Sequence, residues 1–494
     1  MSAYAKLEER FGKIAAVGQA AAILHWDAAV MLPEGASAGR GEQLAALEGI
    51  THDWLSDARV GEWLAAAEAE KLDAWKTANV REMGRKYKHA TAVPGALKEK
   101  LVKCSTEAEM RWRSARKEND FAGFAPHLEQ LLALVREIAQ IKAEAFGVGA
   151  YEALLDEYDP GRKVAEIDAA FAPLEKELPG LIEAACERTK ALAASLPMVS
   201  IPVERQKALG KRLMKAIGFD FQHGRLDESA HPFCGGVADD IRITTRYDEA
   251  DFSRALMGVI HETGHAMYER GLPGAWSRQP VGEARGMAFH ESQSLLMEMQ
   301  VCRSREFFSF LAPLLGEVFS VRGNAWEAEA LYRGYTRVER SFIRVDADEV
   351  TYPAHVLLRY RLEQKMIAGD LKVRDLPGAW AEGMKSLLGI VPPDDAKGCL
   401  QDIHWPGGAF GYFPTYTLGA MIAAQLYAAA KKAQPEIPGE IAKGNFAPLL
   451  TWLREKVHGK ASLLGQGELL KEATGQALDA GVYLAHLRKR YVES

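Results

Sequence analysis

The stretch VIHETGHAMYERG, Val259–Gly271, constrains this chain more than any other. His261 and His265 stand four residues apart, with Glu262 directly after the first. On an α-helix, positions i and i+4 lie one above the other on one face. His261 and His265 can therefore both point an imidazole at one metal ion. Glu262 then sits about 100° around the helix from His261, where its carboxylate can reach a water on the metal without ligating it. This is the H-E-x-x-H logic: two neutral imidazoles hold Zn²⁺ and the glutamate takes a proton from water. The flanks support the helix. Phe252, Ala255, Leu256, Val259 and Ile260 recur at helical spacing and continue through Ala266 and Met267. Gly258, His261, His265 and Tyr268 form the adjoining edge, so the histidines border the apolar stripe. Buried imidazoles without partners would be costly there.

Composition narrows the function classes. The 494 residues are 48% hydrophobic, enough for a large core. Length alone is compatible with about three domains. The 61 basic residues nearly balance 67 acidic ones. No basic run or aromatic–basic interleaving suggests nucleic acid, and no stretch of eighteen apolar residues suggests a membrane span. Ile14–Leu24 has the length of a signal-peptide core. It follows KLEERFGK, with two glutamates, and no small-residue cleavage site precedes His25, so it reads as an amphipathic helix. Five scattered cysteines, 104, 186, 234, 302 and 399, suit reduced thiols of a cytoplasmic protein.

Most of the chain carries helical spacing. Leu128–Gly147 is a strong instance, ending at a glycine. Residues 163–217 continue the pattern with expected interruptions at Pro173, Pro179, Pro197 and Pro202. Asp239–Tyr247 differs: Ile241, Ile243, Thr245 and Tyr247 alternate with Arg242, Thr244 and Arg246, a strand signal. A strand beside a metal site can bind an extended peptide through main-chain hydrogen bonds. HPFCGG, 231–236, reads as a loop from its Pro and Gly. Gln401–Tyr416 is a glycine- and aromatic-rich loop carrying His404, Tyr412 and Tyr416, three hydrogen-bonding side chains of the kind that catalytic loops position.

A catalytic zinc needs a third protein ligand and an open position. Tyr268 and Gly271 stand where a metzincin has Gly and His, which excludes that class. Glu283, Glu291 and Glu298 remain. Ala288–Arg303 reads as one periodic helix with Glu291 near its start and Glu298 two turns later on a similar face; spacing favours Glu291 without deciding.

Six ordered motifs then carry a resemblance: HPF (231–233), D-x-R-x-T (Asp240, Arg242, Thr244), H-E-T-G-H (261–265), H-E-S-Q (290–293), I-R-x-x-A-D-E (343–349) and G-x-x-Q-D-x-H-W (398–405). Together with LHWDAAVMLP, 24–33, the set resembles the carboxypeptidase Taq family of metallocarboxypeptidases along essentially the whole chain. The resemblance implies a mainly α fold similar to neurolysin and angiotensin-converting enzyme, with a deep groove and a small β-sheet on its wall. It implies one catalytic unit over 1–494, with a helical half to about 220 and a metal- and substrate-binding half from about 221. Glu291 takes the third-ligand place beside His261 and His265, with zinc or cobalt as the metal. His231, Asp240 and Arg242 belong to motifs associated with restricting the groove around short peptides. Family members are typically cytoplasmic homodimers that remove C-terminal residues with broad specificity and usually spare proline.

The residues then suggest roles. Glu262 serves as general base and passes its proton to the leaving amine. Tyr412, Tyr416 and His404 are candidates to donate to the oxyanion. Arg344 suits a forked contact with the substrate's free C-terminal carboxylate, or else a surface ion pair with Asp346 or Asp348. Asp346, Asp348 and Glu349 are either partners of the metal histidines or helix N-terminal charges, Asp346 more in keeping with the second. Two other functions compete: an oligopeptidase cutting internal bonds in the same kind of groove, and a helical scaffold with a structural metal. The second fits poorly, because structural zinc is usually closed by four Cys or His ligands.

Overall fold

Helices build most of the computed structural model, which describes residues 1–193 and 195–493. Ala194 and Ser494, within the expected 1–494 unit, lie outside the described residues. The helices Ala3–Val30, Ser37–Ser56, Ala58–Ala67 and Ala74–Ala92 come first. Around Tyr4, Leu7, Phe11, Val60, Leu64, Val80 and Met83 they hold a small core of their own. A second core reaches from Cys104 to Tyr491 and joins helices from both expected halves. Polar ties link the two cores. Asn79 donates to Gln279 and accepts from the Val281 amide, and Arg285 reaches buried Glu82 at 2.7 Å. No helix among the described residues is long and apolar enough to cross a membrane. All five cysteines are free thiols.

Helix ends follow local chemistry. Phe121–Phe146 starts at the Asp120 cap and stops at Gly147, whose φ of 69° suits a residue without Cβ. Pro173 and Pro179 depart from expectation: both lie inside one continuous helix, Val164–Ala191. Two helix prolines cost about 6 kcal/mol. Burying Ile167, Phe171, Leu174, Leu178, Leu181 and Ile182 along that helix returns about 9–18 kcal/mol, so packing overrides the local break.

The sheet has three short strands, β1 (Gly224–Glu228), β2 (Phe233–Val237) and β3 (Asp240–Thr245), ordered β1-β3-β2. β3 lies where alternation placed a strand. HPFCGG corrects the reading as a loop, since Phe233–Val237 pairs antiparallel with β3. Its glycines serve the pairing. Gly236 has φ 83°, and a Cβ there would meet the Asp240 carbonyl oxygen at 2.2 Å. The hairpin thus closes through Ala238 and Asp239 alone, in keeping with the tight connections that such backbone geometry permits. Ile241 and Ile243 are buried, as is Thr244, whose hydroxyl meets Ser229 at 2.7 Å and the Phe233 amide at 3.1 Å. The Arg242 and Arg225 guanidiniums lie 4.1 and 5.0 Å from the Trp26 ring, joining the sheet to the end of the first helix.

Two glycines let helices touch backbone to backbone. A methyl at Gly264, inside the H-E-T-G-H motif, would meet the Gln293 carbonyl oxygen and Ser294 Cα at 2.6 Å. A methyl at Gly419, in the helix Pro414–Ala433, would meet Glu291 Cβ at 2.9 Å. Helix Gly286–Leu295 is thereby held against the histidine helix on one side and Pro414–Ala433 on the other.

Gly→Ala in an exposed helix normally stabilises by about 1 kcal/mol. Gly264→Ala should do the reverse, losing about 1–3 kcal/mol by overpacking. Gly84→Ala, with nothing within 4 Å of the added carbon, should be neutral or stabilising. Thermal denaturation of both variants checks the opposite signs; equal shifts would refute the close-approach account.

Candidate metal centre and active site

The helix Phe252–Gly271 sets His261 and His265 side by side, ring centroids 4.9 Å apart. Their Nε2 atoms face Glu291 from the neighbouring helix. His261 Nε2 is 3.9 Å from one carboxylate oxygen and His265 Nε2 is 3.6 Å from the other. One donor atom from each of the three lies within 4.8 Å of the others. The other candidate glutamates separate from this group. Glu283 is exposed beside Lys86. Glu298 sits behind His261, accepting its Nδ1 at 2.9 Å. Seven α-helical residues would have returned Glu298 to the Glu291 face. Past Leu295, however, the backbone widens into π-type turns over Leu296–Val301, which change the phase.

Each histidine is oriented by a two-step chain. His261 Nδ1 faces Glu298, whose other oxygen accepts from Arg303 at 2.9 Å. His265 Nδ1 lies 3.1 Å from the His290 carbonyl and 2.7 Å from His290 Nδ1, and His290 Nε2 faces Glu269 at 2.8 Å. Protons on the Nδ1 atoms of His261 and His265 satisfy these contacts and leave both Nε2 lone pairs toward Glu291. That is the outer support a metal-binding imidazole needs.

Charge agrees with a cation at this point. Burial opposes the imidazolium of His261, yet the Glu298 hydrogen bond and the charges of Glu291 and Glu262 raise it to about 10. Burial pushes Glu262 up to about 7 and raises Glu291 as well. Burial lowers His265, with neighbouring His290 and His261 adding to it. A divalent ion would replace the imidazolium proton and keep the carboxylates ionised. The side chains of His261 and Glu291 keep 22% and 13% exposure, so the group is open to solvent as a catalytic centre must be.

A second wall faces the same point. Arg344 is only 5% exposed, which overturns the surface ion pair with Asp346 or Asp348. Its Nε and Nη2 bond one oxygen of Asp402 at 3.0 Å, and Nη1 donates to the Tyr352 hydroxyl at 2.6 Å. Buried Arg359 takes the other Asp402 oxygen at 2.7 Å. Tyr352 and Tyr416 meet edge to face at 6.0 Å, Tyr412 and Tyr416 at 5.2 Å. Tyr352, Tyr412 and Tyr416 all feel the charge of Glu291. His404 Nε2 lies 3.2 Å from the Tyr416 hydroxyl. Burial and then the Arg344 charge lower His404 to about 4, so it is neutral at neutral pH.

Other predicted residues stand apart from the histidines. Asp240 and Arg242 bond each other, and Arg242 stacks on Trp26. His231 is exposed beyond β2, its carbonyl accepting from Ser229. The sheet nevertheless borders the site, because Cys234 of β2 feels Glu262 and Glu269. Asp346, Asp348 and Glu349 are not partners of the histidines. Asp346 pairs with Arg254 at the surface, and Asp348 accepts the amides of Glu339, Val350 and Thr351. Burial opposes the charge on Glu349, but His486, Arg490 and Tyr491 hold it at about 2. Tyr352, Asp402, Arg359, Glu269 and the support roles of His290 and Glu298 were missed. His290 and Asp402 lie inside quoted motifs, which was the available signal; Tyr352 lies three residues beyond one.

Glu298→Ala should keep all three donors facing the metal position and loosen only His261. The expected loss in metal affinity is about 10–100-fold, measured by competition with a chelator. Unchanged affinity would mean that Glu298 only neutralises Arg303.

Comparison with known proteins agrees with this geometry. The family model described as carboxypeptidase Taq (M32) metallopeptidase matches residues 6–491. Thermostable carboxypeptidase 1 of Thermus thermophilus is 39% identical over 503 residues, spanning 99% of this chain and 98% of that protein. Carboxypeptidase 1 of Bacillus subtilis is 35% identical, spanning 97% and 96%. Among solved structures, Trypanosoma cruzi metallocarboxypeptidase 1 matches with TM-score 0.97 at 40% identity, covering 99% of both chains. These findings do not favour an oligopeptidase. With the family model and these relatives spanning nearly its whole length, the chain belongs to the carboxypeptidase Taq (M32) metallopeptidase family and is a metallocarboxypeptidase that works with a divalent metal ion.

Proposed function

We propose that His261, His265 and Glu291 hold one zinc ion, a site Co²⁺ could also fill, and that this centre removes single residues from peptides with a free C-terminus. When bound, the ion supplies Lewis acidity, polarising a carbonyl and acidifying water. Glu262, one position along the helix from the first ligand, accepts a proton from the attacking water at its carboxylate. It then delivers that proton to the leaving amine. The hydroxyl of Tyr412 or Tyr416 donates to the developing oxyanion, a contact worth about 3–4 kcal/mol. Neutral His404 fixes the Tyr416 hydroxyl and is itself the third candidate donor.

The observation that carries the exopeptidase reading is Arg344. Its buried guanidinium lies within Coulombic reach of Glu291, so a carboxylate-binding cation stands beside the hydrolytic centre. Three hydrogen bonds to Asp402 and Tyr352 use part of its donor fork. A guanidinium carries five N–H groups, which leaves two for the substrate's terminal carboxylate. His231, Asp240 and Arg242 bound the groove at the sheet, where edge strand β2 offers main-chain groups to an extended peptide. Broad side-chain specificity, a cytoplasmic location, a homodimer and one catalytic unit over 1–494 complete the proposal; family resemblance supports them.

Glu262→Gln should retain metal and lose about 10²–10⁴-fold in kcat. Glu291→Gln should instead lose metal. Elemental analysis beside turnover assays checks the pair, and the reverse pattern would exchange the two roles.

Amidating the peptide's C-terminus should cost about ten- to a hundredfold in kcat/KM, the weight of a charge-assisted contact. Arg344→Ala would leave Asp402 short of a partner, so Arg344→Lys is the cleaner probe. Lysine keeps the charge without the planar fork. It should weaken cleavage of the free acid and leave the amide nearly unchanged. Equal losses on both peptides would assign Arg344 to the fold. Rapid internal cleavage of the amide by the unaltered enzyme would overturn the exopeptidase reading.

A further inference from the structure

Glu363 lies in the helix Tyr352–Ala368, completely buried. Among the described residues its carboxylate has no Lys, Arg or His within ion-pair distance. A carboxylate without a cation is costly to bury, and three donors hold this one. The Trp405 indole N–H meets one oxygen at 2.9 Å. The Tyr151 hydroxyl at 2.7 Å and the Gly411 amide at 3.2 Å meet the other. Trp405 directly follows His404, and Gly411 directly precedes Tyr412. One buried group therefore grips both ends of the segment that carries two candidate catalytic side chains. The far end has little room to shift. Gly411 has φ 90°, and a Cβ there would stand 2.9 Å from the Leu155 amide nitrogen. The Trp405 ring packs against Phe410 and Trp380.

We propose that Glu363 is a positioning residue for peptide hydrolysis: its carboxylate ties down the Trp405 indole and the Gly411 backbone amide, setting where His404 and Tyr412 project toward Glu291. The proposal rests on the reading that His404, Tyr412 and Tyr416 act on the substrate. Chemistry makes the carboxylate specific. Indole and backbone N–H groups only donate, so both side-chain oxygens must accept. Glutamine fills the same volume with one oxygen and one NH₂. Whichever way it turns, its NH₂ opposes the Trp405 or the Gly411 N–H, and one end is released.

The test uses metal-loaded full-length Glu363→Gln. A misplacement near 1 Å can cost about 10²-fold. The expected result is a kcat loss of about 10–100-fold, KM within about threefold, and unchanged metal content. Tyr151→Phe removes a donor from an oxygen that still holds Gly411, and should lower kcat less than about threefold. Wild-type kcat in Glu363→Gln, or a loss matched by lost metal or lost folded fraction, overturns the proposal. Should Glu363→Gln not fold, Trp405→Phe decides. It releases one end only, so reduced kcat at steady KM supports the proposal and wild-type kcat overturns it. Tyr412→Phe, Tyr416→Phe and His404→Gln distinguish the two levels. Reduced kcat in these with none in Glu363→Gln sinks Glu363 alone. Wild-type kinetics in all three sinks the reading beneath it, and the proposal with it.

Discussion

Three glutamates, Glu262, Glu291 and Glu298, are packed, largely buried, around two histidines. Burying carboxylates so closely is unfavourable unless positive charge stands among them. Much of the fold answers that constraint. Arg303 neutralises Glu298 from behind, and His261 connects Glu298 to the centre. At the front, a divalent ion suits the remaining charge better than a proton, because two Nε2 lone pairs and a carboxylate already converge on one point.

Convergence depends on backbones approaching closely. Gly264 lets the Gln293–Ser294 backbone lie against the histidine helix, and Gly419 lets Glu291 rest on Pro414–Ala433. The latter helix begins at the end of the glycine- and aromatic-rich loop and carries Tyr416 in its first turn. One set of contacts therefore positions the third donor and the tyrosine wall together. Asp402 works likewise: it pairs with both Arg344 and Arg359, so Arg344 and the 398–416 loop share one buried link.

Legibility varied with the range of the interaction. The helical character, strand β3 and the relation of His261 to His265 follow from periodicity within single elements. Glu291 against Glu298 stayed open on spacing, since a regular helix makes them equivalent and the widened turns at Leu296–Val301 do not show in hydrophobic pattern. Pro173 and Pro179 misled because long-range burial outweighed a local penalty. HPFCGG misled because its glycines serve strand pairing. Tyr352, just beyond the motif that ends at Glu349, had no visible function until Arg344 was found beside it.

By itself, then, the sequence determined that Val259–Gly271 forms a helix with two imidazoles on one face and a glutamate beside them. That outcome needs only the 3.6-residue period and apolar spacing. Beyond the family resemblance, which points to Glu291, only tertiary structure sets that carboxylate beside the two imidazoles, places Glu298 and Glu269 behind them and decides what Arg344 touches. Glu298 lies 37 residues from His261 and Asp402 lies 58 from Arg344. No local periodicity specifies contacts between separate elements; they depend on how closely helices pack and on where buried charges find compensation.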